Sequence, residues 1–494
     1  MKRLIIITLI SASVFSVLGQ SNLSFFHMQN SIPQVSNYNA SYFPNSKVYV
    51  SLPALSGIDF TVNNAFGLSD IFTETGDSTL VDINRFLGSR KKATFLNVGL
   101  GITDLMVGVR VGDHSHFSFF INERMNATFN YPIDLMNFLW QGNRAYIGEN
   151  FVADDFSYKM TMYREWGIGY ARKFQIANRQ TNIGVRLKYL TGLFHSSARD
   201  LALSIHTSEE DYSITTSFNE ARILSAGISQ FDSDEDIDPM YFVHNGNQGF
   251  GVDMGAQMQF NRKLRLGAAI NDLGLISWKD NAEQINLSES SFRFEGINLD
   301  NTDELGQAVQ DSLDNIEIDT IPSRFNTSLN ARAYFSADYE VTNGGYAQAT
   351  VSNYFTQGAI RTAIGLGYLQ NVGKWFSAST TFSMVPQQGV DIGMGLMFKL
   401  SVVQLYVVAD NILNTIDIPN AKAVNLKFGL NFLIGKYSPP VKKSRISIPV
   451  EETKPTVEEA EPVEESKPTE EKPNQTSEEK EADEFSDYSH LWDE

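Results

Sequence analysis

The stretch "AVNLKFGLNFLIG", residues 423–435, sets the tightest limit on what this chain can become. Val424, Leu426, Phe428, Leu430 and Phe432 fall on one side of an extended strand. Asn425, Lys427, Gly429 and Asn431 fall on the other, because strand side chains alternate with a period of two. The same alternation recurs at 96–102, 105–111, 183–189, 252–260 and 390–398. Several such runs reach nine residues or more, beyond the roughly five or six usual in soluble sheets. They match the ~9–11 that a tilted strand needs to cross a bilayer. Turn signals such as "GDHS", "NRK" and "VPQQG" separate neighbours at short distance, as antiparallel hairpins require.

The pattern predicts an all-β fold: a transmembrane antiparallel β-barrel of about 14 strands, with 12 to 18 admitted. A secreted soluble β-rich binding protein, a sandwich or propeller, would also alternate and stands as the alternative. Two features favour the barrel. The polar faces carry charge and glycine together, which suits a wet or plugged lumen. Aromatic residues recur near strand ends, at Tyr49, Phe129, Tyr131, Trp166, Tyr189, Trp375, Phe376 and Phe398, where an interfacial girdle would sit.

The chain opens with "MKRLIIITLISASVFSVLGQSN", a basic, then apolar, then small-residue sequence that reads as a signal peptide cut near Gly19-Gln20. No cysteine follows the cut, so a lipoprotein is excluded, and the chain has none anywhere, so disulfides and Cys-type metal sites are excluded too. Beyond the signal no apolar run approaches the roughly 18–20 residues of a membrane-spanning helix. Any crossing is made by strands, and the expected location is the cell outer membrane, with its lipid as the barrel's surroundings.

Composition matters for the tail. From Glu451 to Glu494 there are 17 acidic and 4 basic residues, so 13 of the chain's 19 net negative charges lie there and the rest of the chain is only mildly acidic. Nothing points to nucleic acid, which calls for a basic patch. The expected division is a signal at 1–19, an irregular N-terminal plug at 20–46, the barrel at 47–436, and a disordered Pro/Glu-rich tail at 437–494. Segments 78–89 and 131–143 show helical spacing, and 219–247 and 278–322 read as long acidic extracellular loops.

On the strand faces assigned to the lumen stand Arg110, Arg186, Lys188, Arg265, Lys399 and Lys427, opposite Asp253 and Asp391. His114 and His116 share one face as His-x-His, but without a third ligand they read as solvated turn residues. No G-x-S-x-G elbow, Ser/His/acid set or phosphate loop is present, so no catalytic, cofactor or metal site is expected. "AINDLGLISW" (269–278) reads as a rim turn that sets Trp278 at the bilayer interface or offers it to a partner. The tail ends in "FSDYSHLWDE", whose Phe485, Tyr488, Leu491 and Trp492 could anchor an envelope protein partner.

Local patterns carry a resemblance. "QGNRAYIG", "REWGIGYARKF", "IGVRLKYLTGLF", "LRLGAAINDLGLISWKDN" and "LYVVADNIL … AVNLKFGLNFLIG" together resemble an uncharacterised family of Bacteroidota outer-membrane barrels. That family is related in architecture to FadL-type fatty-acid channels and to PorV/PorP-like proteins of type IX secretion. The resemblance implies that residues 20–46 fold into the lumen as a plug. It also implies a non-enzymatic role, as a channel or transporter or as a scaffold of an envelope complex. FadL-like uptake of hydrophobic molecules is the alternative, although the Arg, Lys and Asp on the lumen faces do not describe a greasy tunnel.

Overall fold

In the computed structural model the described residues are 22–436, except 29–30, 53–54, 65, 67–69, 71, 76–77, 82–93, 220, 232–237, 288–290, 295–318, 357–358, 386–388 and 414–420. Long alternating segments pair in chain order. The first strand, β1, runs in two pieces, Ser46–Ser51 and Ile58–Asn64. Both pieces pair with β2 (Thr94–Val111) on one side and with β14 (Ala423–Lys436) on the other. Between these come β3 (Ser115–Tyr131), β4 (Asn150–Ile176), β5 (Arg179–Thr207), β6 (Gln248–Gln259) and β7 (Leu264–Trp278). The circuit continues through β8 (Arg332–Thr342), β9 (Gly345–Thr356), β10 (Ala359–Val372), β11 (Phe376–Val385), β12 (Gly389–Leu400) and β13 (Val403–Ala409). Neighbours are antiparallel and the β1–β14 pairing closes the ring, giving a 14-strand barrel.

The faces of β14 show which way the stripe points. Asn425, Lys427 and Asn431 are only 4, 3 and 0% exposed, whereas Phe428 is 40% exposed. The same inversion holds around the ring, where Ile168, Leu187, Phe250, Leu366 and Val390 face outward and stay exposed. A soluble sandwich buries its apolar face; here the polar face is inside and the apolar face outside. Such a surface suits hydrocarbon rather than water. An arginine at position 428, near the middle of β14, is accordingly expected to cost about 2–4 kcal/mol of barrel stability, against about 0–1 for one at Ile434 near the strand's end. Urea midpoints of the two variants in lipid vesicles measure this, and equal midpoints would contradict an outward lipid face.

One end of the barrel carries only tight turns, at 112–114, 177–178, 260–263, 343–344, 373–375 and 401–402. At 177–178 both Ala177 and Asn178 have positive φ, the mirror-image turn whose twist matches a tight hairpin. The long connections all lie at the other end. There β4 and β5, 27 and 29 residues long, run past the barrel and carry a side sheet. That sheet is made of Ile214–Asn219, Arg222–Ala226, Ala282–Asn286, Ser291–Phe294, Asp319–Pro322 and Phe325–Ser328. The expected loops at 219–247 and 278–322 are therefore partly sheet, because backbone leaving the membrane still needs partners for its N–H and C=O groups. A one-turn helix at Pro239–Phe242 braces this region: the Tyr241 hydroxyl donates to the Leu193 carbonyl at 2.5 Å. Burial, with Asp280 adding to it, pushes that hydroxyl up to about 12 and keeps it a donor.

Residues 22–28 and 31–45 lie inside the ring, with α1 (Leu23–His27) followed by a 3₁₀ turn at Pro33–Asn37. The expected helix near 131–143 is α2 (Ile133–Gln141). At 78–89 the helical reading fails: Ser78–Val81 is a strand paired with Phe72–Thr75, and 82–89 lie outside the described residues. The signal segment and the tail, with Phe485, Tyr488, Leu491 and Trp492, also lie outside them.

Candidate functional site: the plugged lumen

The plug is held by its surroundings rather than by its own helix. α1 is five residues long and starts at Asn22 without a side-chain cap, far too short to persist alone. Phe25, Phe26, Met28, Ile32, Val35 and Tyr38 instead form one buried cluster with Tyr334, Leu369, Met397, Tyr406 and Val408 of the wall. Phe26 stacks on Tyr334 with ring centres 4.9 Å apart. Burying each large apolar side chain contributes about 1.5–3 kcal/mol, so this cluster dominates the plug's adhesion.

Wall side chains also satisfy the plug's backbone, which has no strand beside it. Asn271 donates to the Tyr38 carbonyl at 2.8 Å, Arg186 to Ser36 at 2.7 Å, Gln348 to His27 at 3.1 Å and Gln404 to Ser31 at 2.6 Å. The Ser24 amide donates to Asp410 at 2.8 Å, and the Gln34 side chain pairs with Asn431 of β14. The His27 ring sits between the hydroxyls of Thr381 and Thr350, at 2.9 and 3.1 Å. Glycines on the lumen face make the room. A Cβ at Gly184 would lie 2.0 Å from the Ala40 carbonyl oxygen, and one at Gly255 2.2 Å from Asn39 Oδ1. The glycine that alternates with charge along these strands is thus the imprint of the plug.

A charge network crosses the wall beside it. The Lys188 ammonium is 2.5 Å from Asp272, 2.9 Å from Asp253 and 3.5 Å from Glu165. Arg124 stands 3.5 Å from Glu165 and Arg186 3.6 Å from Asp253, while Arg332 pairs with Asp272. Asp272 reaches this position through a bulge. Its φ is +60°, and between the pairs Val252–Leu273 and Met254–Ile270 the β6 strand has one residue where β7 has two. The Asp272 amide donates to Asp253 at 2.8 Å, which fixes both carboxylates around the lysine. Lower on the wall Lys427 pairs with Asp59, which also accepts from the Tyr38 hydroxyl of the plug at 3.2 Å.

Of the residues expected at the lumen, Arg186, Lys188 and Asp253 meet in this network and Lys427 in the neighbouring pair. Arg110, Arg265 and Lys399 instead line a wide vestibule at the turn end, about 1660 Å³ in volume. Asp391 is half-buried near the loop end of β12, apart from both. A second, smaller cavity of about 90 Å³ opens at the loop end, lined by Asp59, Arg124, Lys159, Asp272, Arg332 and Tyr354 among others.

Two expectations need correction. Trp278 is neither at the bilayer interface nor open to a partner: it is 0% exposed, its indole N–H donates to Thr327 at 2.8 Å, and its ring faces Phe325 and His195. The strand Phe325–Ser328 pairs alongside this end of β7 and brings Phe325 to the indole. His116 is likewise buried, beside Tyr42, Phe43 and Tyr49, because it already lies on an inward position of β3. His114 lines the turn-end vestibule. Among the described residues no group of three or more His, Asp or Glu is placed to hold a metal ion.

Sequence reasoning missed Arg124, Glu165, Asp272 and Arg332. The inward parity of β3 and β4 was the available signal for the first two; nothing local announced the bulge that delivers Asp272.

A family model described as a family of unknown function (DUF5723) matches residues 41–410. The chain belongs to that family. The match spans every barrel strand from β1 to β13 and the end of the plug. No curated protein matches the sequence. Among solved structures the chain is similar to the toluene transporter TodX of P. putida, at 7% identity and TM-score 0.38, covering 83% of this chain and 94% of that one. It is also similar to the Ralstonia pickettii toluene transporter TbuX, at 8% identity and TM-score 0.38 over 83% and 94%. A Pseudomonas aeruginosa FadL homologue is similar at 8% identity and TM-score 0.38, over 82% of this chain and 92% of that one.

Proposed function

We propose that this protein is an outer-membrane channel for small polar solutes, closed at rest by residues 22–45. The observation that carries the reading is the lumen itself: a plug seated between two cavities whose walls are charged and hydroxylated. The outward apolar belt supports placement in a bilayer, and the short turns would face the periplasm, as they do in outer-membrane barrels. The protein does no chemistry in this role; it positions and admits. A hydrocarbon cargo would have to displace water from Arg124, Lys159 and Arg332 at one end and from Arg110 and Lys399 at the other, and it offers no polar group to offset that desolvation. Polar solutes meet no such barrier.

The absence of native cysteine makes a clean test possible. Ser31 of the plug and Ser377 of β11 have their side-chain oxygens 3.4 Å apart. The double variant S31C/S377C should be silent in planar bilayers when oxidised and show intermittent conductance once reduced, as the unmodified chain does. Silence in all three states would overturn the channel reading and favour a sealed scaffold.

A further inference from the structure

We infer that the solutes this channel admits are small organic anions, carboxylates or phosphates; the inference rests on the channel reading and names its cargo. The turn-end vestibule is lined by Arg110, Arg172, Lys173, Arg265, Lys374 and Lys399, and its lining holds one carboxylate, Asp113. Behind it Asp338 pairs with Arg265 at 3.0 Å. This concentration of positive charge is local, since residues outside the acidic tail are net negative.

Two of the cations share one ring. Lys173 Nζ lies 4.2 Å and the Arg110 guanidinium carbon 4.8 Å from the centre of Phe43, at the end of the plug. Like charges held at one ring repel each other, and an anion arriving beside them relieves that repulsion. The site therefore attracts negative solute at the point where the plug meets the mouth. The lining of the loop-end cavity carries three cations, Arg124, Lys159 and Arg332, against two acids, Asp59 and Asp272. Both ends of the route are thus biased the same way. Low-dielectric walls focus such a field, and rings of Arg and Lys are how pores select anions.

The test uses the full-length chain carrying Gly184→Val, in which the new side chain overlaps the plug backbone at Ala40. In a potassium chloride gradient its reversal potential should report a several-fold preference for chloride over potassium. Adding K173E/K374E/K399E should bring the ratio to one or below. The neutral set K173Q/K374Q/K399Q should fall between and guards against misfolding of the charge-reversed chain. Inorganic phosphate and succinate, added in turn at the turn-end side, should each reduce the chloride current of the parent, and the stronger blocker identifies the head group. A conducting pore that prefers potassium, or a ratio unmoved by either triple set, overturns this inference and leaves the channel reading standing. Absence of any conductance overturns the channel reading instead.

Discussion

Replacing Gly184 with valine is expected to turn a closed barrel into an open one. The Cβ built at this position falls 2.0 Å from the Ala40 oxygen and 2.4 Å from its carbonyl carbon, so the obstruction is backbone and cannot swing aside. Gly184 itself is pinned by ladder pairs to Ala171 of β4 and Gly255 of β6. The plug has no ladder and is therefore the part that gives. Forcing methyl groups into such a packed contact costs about 1–3 kcal/mol. A two-state closed–open equilibrium moves by about 5–150-fold for that free energy. The double variant G184V/G255V, which also meets Asn39 and the Ala40 amide, should go further. Gly251→Ala is the control: its Cβ meets nothing nearer than 3.4 Å, at Leu329 Cδ1, so its conductance should match the parent's. Open probability in single-channel records measures all three. A correctly assembled G184V barrel with unchanged open probability would show that the plug does not gate the lumen.

This prediction could not have been written from the sequence, although the fold could. The stripe along 423–435 told which residues share a face, and nine-residue runs told that the segments were long enough to cross a bilayer. Alternation carries no information on what a face touches, however. Gly184 and Gly255 read as polar-face spacers until Ala40 is seen against them. Gln34 and Asn431, hydrogen-bonded across the lumen, are 397 residues apart in the chain. The outer parts of β4 and β5 escaped because beyond the membrane no lipid imposes an apolar outer face, and the alternation fades. Trp278 was misplaced because near a strand end it reads as an interfacial aromatic; the rings of His195 and of Phe325, on the strand paired alongside, make it core. The charged residues of the inner faces were legible one by one, but their division into a buried network and a basic mouth depends on depth in the barrel, which alternation does not encode.

Lys188→Met should be the most damaging single change in the wall. Among the described residues Lys188 is the one cation within 3.5 Å of three carboxylates, Glu165, Asp253 and Asp272. Its loss leaves them unequal. Asp272 keeps Arg332, and Glu165 keeps Arg124 at 3.5 Å together with the Asn122 amide at 2.8 Å. Asp253, 0% exposed, keeps among the described residues the looser Arg186 contact at 3.6 Å and the Asp272 amide. Breaking one side of a buried ion cluster costs about 3–5 kcal/mol, because the remaining charge stays desolvated without its partner. The cost should therefore be concentrated at Asp253, and neutralising that residue as well should recover part of it. In urea titrations of the full-length protein in lipid vesicles, K188M is expected to lower the midpoint sharply, and K188M/D253N to lie between K188M and the parent. Such a recovery is a coupling between neighbours and not a sum of independent losses. A K188M midpoint equal to the parent's, or a double variant weaker than K188M, would show that the three carboxylates do not depend on this lysine.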